Sequence, residues 1–371
     1  MVRDYKKEFE WFHSHPEVGF KEYETTKRIK EILKEDNIEE VPLNLETGAL
    51  AVIRGEKAGS NRLFRAEIDA LPVTEESGLK YASKNDGVMH ACGHDIHLVA
   101  ALKTAVILNK IKKDIKGNVY ILFQPGEEVF DGARNVIKTG VTKDIDEFYA
   151  FHVDPSREVG VLEITEGGVT SSVDRFKITV KGKGAHAAIP HKSKNPISIL
   201  TKTADWIANE SDRYIDAFTP RVISITRINA GTTWNVIPEE GELEGTIRTL
   251  DENARNLIKS EFEKCIKVFS ALYDAEILIE WEEGSHIAYN NTDLCQKAIF
   301  IAKKLGIKTA EKEKLLIGDD FGDYAPFGCG KKGLYVRIGS GIGYTYHHPS
   351  FIADPDTIDV AASFMSELLM Q

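Results

Sequence analysis

Residues 89–97, MHACGHDIH, gather three histidines (His90, His94, His97), one cysteine (Cys92) and one aspartate (Asp95) into nine positions. The whole chain has only eleven histidines and four cysteines, so this is a local concentration of ligand-type side chains. A thiolate and a neutral imidazole spaced as Cys92-x-His94 suit zinc, and imidazole also suits manganese, nickel or cobalt. Alone, the pair fits a packed loop before a helix equally well. A second group lies in FQPGEE, 123–128, where Pro125 and Gly126 break a strand and leave Glu127 and Glu128 on the turn beyond it. Adjacent carboxylates repel unless they are exposed or face a cation, and alone these two suit a solvated acidic turn. Neighbouring side chains point in different directions, however, so one can bind metal while the other holds a water.

His152 closes an apolar segment, where it reads singly as a hydrogen-bonded core histidine. His347 and His348 sit in the Gly- and Pro-flanked stretch GYTYHHPSF, singly a surface turn. Together, Cys92, His94, Glu128, His152 and one of His347 or His348 make a ligand set large enough for two metal ions.

The elements that must position these groups follow from periodicity. ALAVI (49–53), RLFRAEID (62–69), VYILF (119–123) and FYAFHV (148–153) read as strands, and DIHLVAALKTAVILNKI (95–111) as an amphipathic helix striped by Val99, Leu102 and Val106. Such alternation implies an α/β layer on a parallel or mixed sheet, with chemistry at strand ends. Asp69, Glu127, Glu128 and His152 all fall at such ends. After EGGVTSSV (166–173) the pattern changes to β-α-β-β-α-β, the ferredoxin-like order. Its first helix is capped by Asn195, starts with Pro196, and is striped by Ile197, Leu200, Ala204 and Ile207; its second carries Ile258, Phe262, Cys265, Phe269 and Leu272. From about residue 284 helix–strand alternation returns. The expected architecture is therefore an α/β domain, 1–171 plus 284–371, interrupted by an α+β domain, 172–283.

A net charge of −11 argues against nucleic acid or an anionic membrane as partner. No apolar run of membrane-spanning length and no secretory leader is evident in the sequence. Cys92, Cys265, Cys295 and Cys329 are scattered, as reduced thiols of a cytoplasmic protein would be. His13 and His15 are expected to fix the N-terminal turn, and His286 to lie in an interdomain loop.

HSHPEVGFKE, RAEIDALPVTEE, MHACGHDIH, FQPGEE, GKGAHAAIPH, EGTIRTLD and HHPSF, in this order along nearly the whole chain, resemble peptidase family M20, and within it the amidohydrolase branch. That branch cleaves N-acyl amino acids, indoleacetyl amino acids or N-acetyldiaminopimelate. The resemblance implies a zinc-peptidase-like catalytic domain with an inserted ferredoxin-like lid that dimerises. It implies two divalent ions (Mn, Zn, Ni or Co) held by Cys92, His94, Glu128, His152 and His347, with Glu127 as general base and Asp69 orienting the centre. It leaves His97 as a supporting or packing residue. In the lid, it implies that His186 reaches a partner subunit's site to stabilise the oxyanion and that Asn235 and Arg248 contact the substrate. Three positions depart from the branch: Glu67 stands for aspartate, Gly126 for alanine, and Asp319 for glutamate, whereas Asp320 keeps its aspartate. The implied activity is hydrolysis of an N-acyl amino acid or peptide-like amide. The competing readings are a dipeptidase or aminopeptidase of the same superfamily, and a non-catalytic metal-binding protein on the same fold.

Overall fold

The computed structural model describes residues 3–310 and 316–370. The chain opens with helices α1 (Tyr5–Ser14) and α2 (Tyr23–Glu35), then strands β1 (Glu39–Val41), β2 (Ala49–Arg54) and β3 (Arg62–Glu67). A long helix, α3 (His94–Lys110), leads to β4 (Asn118–Gln124), α4 (Gly132–Thr139) and β5 (Glu147–Asp154), then short β6 (Leu162–Glu163) and β7 (Gly167–Gly168). Next come β8 (Ser172–Lys181), β9 (Ala185–His186), α5 (Pro196–Asn209), β10 (Arg221–Ala230) and β11 (Val236–Ile237). These continue into β12 (Glu240–Thr249), α6 (Glu252–Tyr273) and β13 (Glu276–Glu283). The remainder is β14 (Tyr289–Asn290), α7 (Thr292–Lys304), β15 (Thr309–Ala310), β16 (Lys332–Gly339) and α8 (Thr357–Met370).

The chain divides into two compact units. The first runs to Val169, resumes at Ala288, and takes the chain from Asp320 onward. The second comprises Thr170–Ile287 and a short return ending at Asp319. That return departs from the expected division, which gave everything after 284 to the first unit. The cause is backbone pairing: Ser171 N–H donates to Ile317 O at 2.8 Å and Ser171 Oγ to Leu316 O at 3.0 Å. Periodicity does not register such a short excursion.

The first unit is built on one mixed sheet in the order β1-β2-β4-β3-β5-β16-β14-β7, with β6 and β15 to the side. Its middle strands β4, β3, β5 and β16 are mutually parallel, so their carboxyl ends share one edge. β3 is buried at every position and β2 at all but its last, as expected of strands covered on both faces. Asp69 and His152 are displaced slightly from expectation: β3 stops at Glu67, so Asp69 lies in the following loop, and β5 continues past His152 to Asp154.

The second unit has a four-stranded antiparallel sheet in the order β10-β12-β8-β13. Numbered by their succession in the repeat, these are strands 2-3-1-4, the ferredoxin-like arrangement. Asn195 Oδ1 caps α5 by accepting from Ile197 N–H at 3.0 Å, and Asp251 Oδ1 caps α6 by accepting from Ala254 N–H at 2.8 Å. Two expected core positions are surface instead: Ile197 is 41% exposed and Leu272 67% exposed. On α5 the buried face is set by Ile199, Leu200, Thr203 and Ile207. Leu272 lies in the last turn of α6; helical period gives a side chain's direction but not whether a neighbour meets it.

The expectation for α3 also needs correction. It is no amphipathic surface helix: His94 through Leu102 are buried without a break, and it packs against α8, α1 and β3. Its polar residues are satisfied inside the protein rather than by solvent. Asp95 accepts from His13 Nδ1 at 2.6 Å, and the other nitrogen of His13 reaches Glu75 Oε1 at 3.2 Å. With a carboxylate on each nitrogen, His13 is a buried imidazolium that ties α1 to α3 and to the long loop after β3. Against burial, which pulls it down, Asp95 and Glu75 raise the His13 pKa from 6.5 to about 9. The Asp95 and Glu75 carboxyls are correspondingly held below their ordinary range, against burial, chiefly by His13. A raised histidine pKa stabilises fully below the unfolded value and loses its effect as pH rises through the folded one. Thermal denaturation of the parent and of His13→Gln should therefore differ most near about pH 6 and converge as pH passes about 9. A difference that grew with pH would contradict the assignment.

Candidate metal centre

The shared edge of the parallel strands collects the ligand-type residues. Beyond β3 lies Asp69, beyond β4 the Glu127–Glu128 turn, near the end of β5 His152, and in the loop after β16 His347; Cys92 and His94 arrive at the start of α3. Two glycines make the approach possible. Gly93 has φ +86°, and a Cβ there would lie 2.4 Å from Val153 Cγ2, so only glycine lets the turn sit on β5. Gly126 has φ +67°, and its Cβ would lie 2.6 Å from the ring of Phe20. The departure from alanine at 126 is thus accommodated by Phe20 filling the space.

Each imidazole has one nitrogen committed. His94 Nδ1 donates to Asp69 O at 2.9 Å and stands 3.2 Å from Asp69 Oδ1. His152 Nδ1 donates to Val153 O at 2.9 Å. Their Nε2 atoms are left facing the cluster. His94 Nε2, buried and with no hydrogen-bond partner, lies 3.8 Å from Glu127 Oε2 and 3.9 Å from Glu128 Oε1. Glu128 Oε1 is likewise buried without a hydrogen bond and stands 3.5 Å from His347 Nε2. His152 Nε2 is 3.5 Å from Cys92 Sγ.

Donors about 2.1 Å from one ion at tetrahedral angles lie roughly 3.4 Å apart, close to these separations. Cys92, Glu128 and His347 present ligand atoms within 4.8 Å of one another, and so do His94, Glu127 and Glu128. Glu128 belongs to both groups. The donor set of thiol, imidazoles and carboxylates, with orphaned buried atoms pointing inward, fits divalent cations.

The electrostatics lean the same way. Against burial, Asp69, Glu67 and Glu128 raise the His94 pKa to about 10. Burial, reinforced by Glu128 and Glu127, pushes the Cys92 thiol well above its ordinary value. A thiolate among these carboxylates requires a facing cation.

Of the paired histidines, His347 turns into the cluster, with φ +63° and its N–H on Ala91 O at 2.8 Å. His348 stacks on Tyr344 at 4.2 Å and accepts from Ser350 N–H at 3.0 Å. His97, although close to His94 and His152, uses Nδ1 toward Glu67 at 2.9 Å and Nε2 to accept from Val153 N–H at 3.0 Å. His90 is buried, and desolvation lowers its pKa to about 4.

Sequence reasoning missed one support, Glu22, and expected the other, Asp69. Glu22 accepts from Gly126 N–H at 2.9 Å and from Thr47 Oγ1 at 2.7 Å, bracing the turn that carries Glu127. Asp69 Oδ2 accepts from Glu128 N–H at 2.9 Å, so one carboxylate aligns two neighbours. Glu22 is separated by about a hundred positions from the turn it holds, and its only signal was its place as the last residue of HSHPEVGFKE.

The lid residues lie in the second unit. β9 pairs with β11, setting His186 opposite Val236, and Ala187 N–H donates to Asn235 O at 3.0 Å. His186 and Asn235 therefore share one two-stranded ribbon. Arg248 lies near the far end of β12, where Nη1 reaches Leu316 O at 3.5 Å. Burial lowers its pKa. His286, expected in an interdomain loop, hydrogen-bonds to Arg255 at 3.0 Å within the same unit.

The family model of peptidase family M20/M25/M40 matches residues 63–371. The chain is 38% identical over 358 residues to an N-acetylcysteine deacetylase of Bacillus subtilis (strain 168), covering 96% of this chain and 93% of that protein. It is 36% identical over 362 residues to thermostable carboxypeptidase 2 of Saccharolobus solfataricus, covering 94% and 90%. Among solved structures, a Bacillus subtilis dinuclear metal binding peptidase from the M20 family superposes with a TM-score of 0.88 at 35% identity, covering 99% of this chain and 96% of that one. With the ligand-bearing strand ends and the match over most of its length in agreement, the chain belongs to peptidase family M20.

Proposed function

We propose that this protein is a metal-dependent amidohydrolase that removes the acyl group from an N-acyl amino acid. The observation that carries the reading is the position of Glu127, whose carboxylate stands 3.8 Å from the inward nitrogen of His94 and beside Glu128. Resemblance to a deacetylase over nearly the full length of both chains supports it. We assign Cys92, His94, Glu128, His152 and His347 as the groups that would hold two divalent ions. Manganese, zinc, nickel and cobalt all suit this donor set. Divalent ions held there would supply polarisation of an acyl carbonyl and a lowered pKa of water, from ~15.7 toward ~7.

The chain's own groups then divide the work. Glu127 takes the proton of the attacking water and delivers it to the leaving amine nitrogen, acting as base and then acid. Asp69 holds His94 and the Glu128 backbone in place. His186 donates to the developing oxyanion, and Arg248 and Asn235 engage the substrate, a guanidinium being suited to a bidentate carboxylate contact. Eight residues of strand separate Glu240, near the His186 ribbon, from Arg248, about 27 Å at ~3.4 Å per residue. His186 and Arg248 of one copy therefore do not meet on one small substrate. This supports a homodimer formed through the second unit, in which His186 acts in trans. The scattered, unpaired cysteines support a cytoplasmic location.

Resemblance to a carboxypeptidase keeps peptide hydrolysis as a second reading. A panel of N-acetyl amino acids and dipeptides, assayed under several metals with bound metal measured, separates the two. Turnover of the N-acyl compounds is expected, and hydrolysis of dipeptides alone would sink the proposal. Glu127→Gln should lower kcat by roughly 10²–10⁴-fold with metal content unchanged. Lost metal or retained activity refutes the role of Glu127. His186→Ala should lower kcat by about 10²–10³-fold, and mixing it with Glu127→Gln should restore activity, because one site of the mixed dimer then holds both groups. No recovery on mixing argues against action in trans.

A further inference from the structure

Behind the ligands lies a buried polar chain that the proposed chemistry leaves unused. Arg65, Glu67, His97, Gln124 and Asp320 are all fully buried. Arg65 donates through Nη1 to Glu67 Oε1, through Nη2 to Asp320 Oδ1 at 2.5 Å, and through Nε to Gln124 Oε1 at 3.2 Å. Gln124 Nε2 reaches the two oxygens of Asp320 at 2.9 and 2.8 Å, and Ala133 N–H donates to the same carboxylate at 2.8 Å. At the other end, Glu67 Oε2 takes the Nδ1–H of His97 at 2.9 Å, while His97 Nε2 accepts the Val153 N–H at 3.0 Å.

The geometry decides the tautomer of His97. Nε2 receives a hydrogen bond, so the proton is on Nδ1, and Glu67 is the acceptor that keeps it there. The ring so fixed stands 4.7 Å from the ring of His152 and 5.5 Å from that of His94. Val153 takes His97 on its N–H and His152 on its carbonyl. We infer that Glu67 is a positioning residue for the metal centre, acting through His97 to set the Val153 backbone and the directions in which His94 and His152 present their Nε2 atoms. This rests on the metal-centre reading above and deepens it. The Glu67 carboxylate reaches from β3 to both Arg65 and His97, one oxygen to each.

The amide of Glu67→Gln has one acceptor oxygen for two donors. If that oxygen turns to Arg65, its NH₂ meets the N–H of His97. The opposite tautomer relieves this only by setting Nε2–H against Val153 N–H. Glu67→Asp keeps two acceptor oxygens on a shorter stem.

The test uses the full chain, stripped by chelator and titrated with Co²⁺, following visible absorption and competition with a chelator alongside the melting temperature of the metal-free protein. Glu67→Gln should bind Co²⁺ about tenfold or more weakly, in the range typical of residues that support metal ligands, with an altered absorption spectrum. Glu67→Asp should stay within roughly threefold of the parent. Asp320→Asn disturbs the same chain on the side of Arg65 away from His97, beside Glu127; it should lower the metal-free melting temperature yet leave Co²⁺ affinity within about twofold. His97→Asn keeps an N–H toward Glu67 but offers Val153 no ring nitrogen; it should weaken Co²⁺ as Glu67→Gln does, and keeps the test decisive if the glutamine variant does not fold. Parent-like affinity in Glu67→Gln or His97→Asn, or an equal loss in Asp320→Asn, overturns the inference while leaving the metal centre standing. A parent chain that takes up no Co²⁺, Mn²⁺ or Zn²⁺ overturns the metal-centre reading and this inference with it.

Discussion

Every buried imidazole at the centre has a nitrogen tied to a fixed acceptor in the protein, and this decides where its second nitrogen points. His94 is held by the Asp69 carbonyl and His152 by the Val153 carbonyl, so both aim Nε2 inward. His97 has both nitrogens engaged and serves as the wall against which the other rings pack. Without these bonds the rings would rotate, and atoms 3.5 to 3.9 Å apart would no longer converge. Metal sites depend on such outer bonds nearly as much as on the ligands themselves.

That constraint requires a rigid frame, which the parallel run β4-β3-β5-β16 supplies. Parallel strands place their carboxyl ends on one edge; β5 itself carries His152 there, and the loops that leave the neighbouring strands bring Asp69, Glu127, Glu128 and His347 to the same region. Helix α3 begins at the same edge and is buried from its first turn. A helix end carrying two ligand-type residues gains from that enclosure, because displacement of Cys92 or His94 would disturb the core beneath them. The cost is polar burial, offset by pairs such as His13 with Asp95 and Glu75.

The second unit follows a different logic. Its antiparallel sheet has helices α5 and α6 on one face, and its functional candidates sit on a short ribbon and on a strand far along the sheet. A small substrate cannot span that separation. The proposed action of His186 in trans, from a second copy of the chain, rests on that separation.

Much of this was legible in the sequence. Period-two runs and short apolar runs located the strands, the β-α-β-β-α-β order identified the inserted unit, and ligand-type residues at strand ends marked the centre. These signals are local: they depend on side-chain direction along one element, which composition and spacing determine. What the sequence did not disclose depends on distant partners. The stripe on α3 gave no sign that the opposite face is also covered, since α1 and α8 supply that cover from the two ends of the chain. Ile197 and Leu272 kept the right period but met no core. Glu22, His13 and Glu67 lay within the motifs HSHPEVGFKE and RAEIDALPVTEE, but nothing in those strings told which partner each would meet. Their roles arise because folding brings a carboxylate within 3 Å of a donor many residues away, as Glu22 does at the Gly126 N–H. The sequence by itself determined which residues had side chains suited to metal and acid–base chemistry and which elements carried them. Only the tertiary structure decided which nitrogen each histidine offers, because that choice is made by hydrogen bonds between segments that meet only in the folded chain.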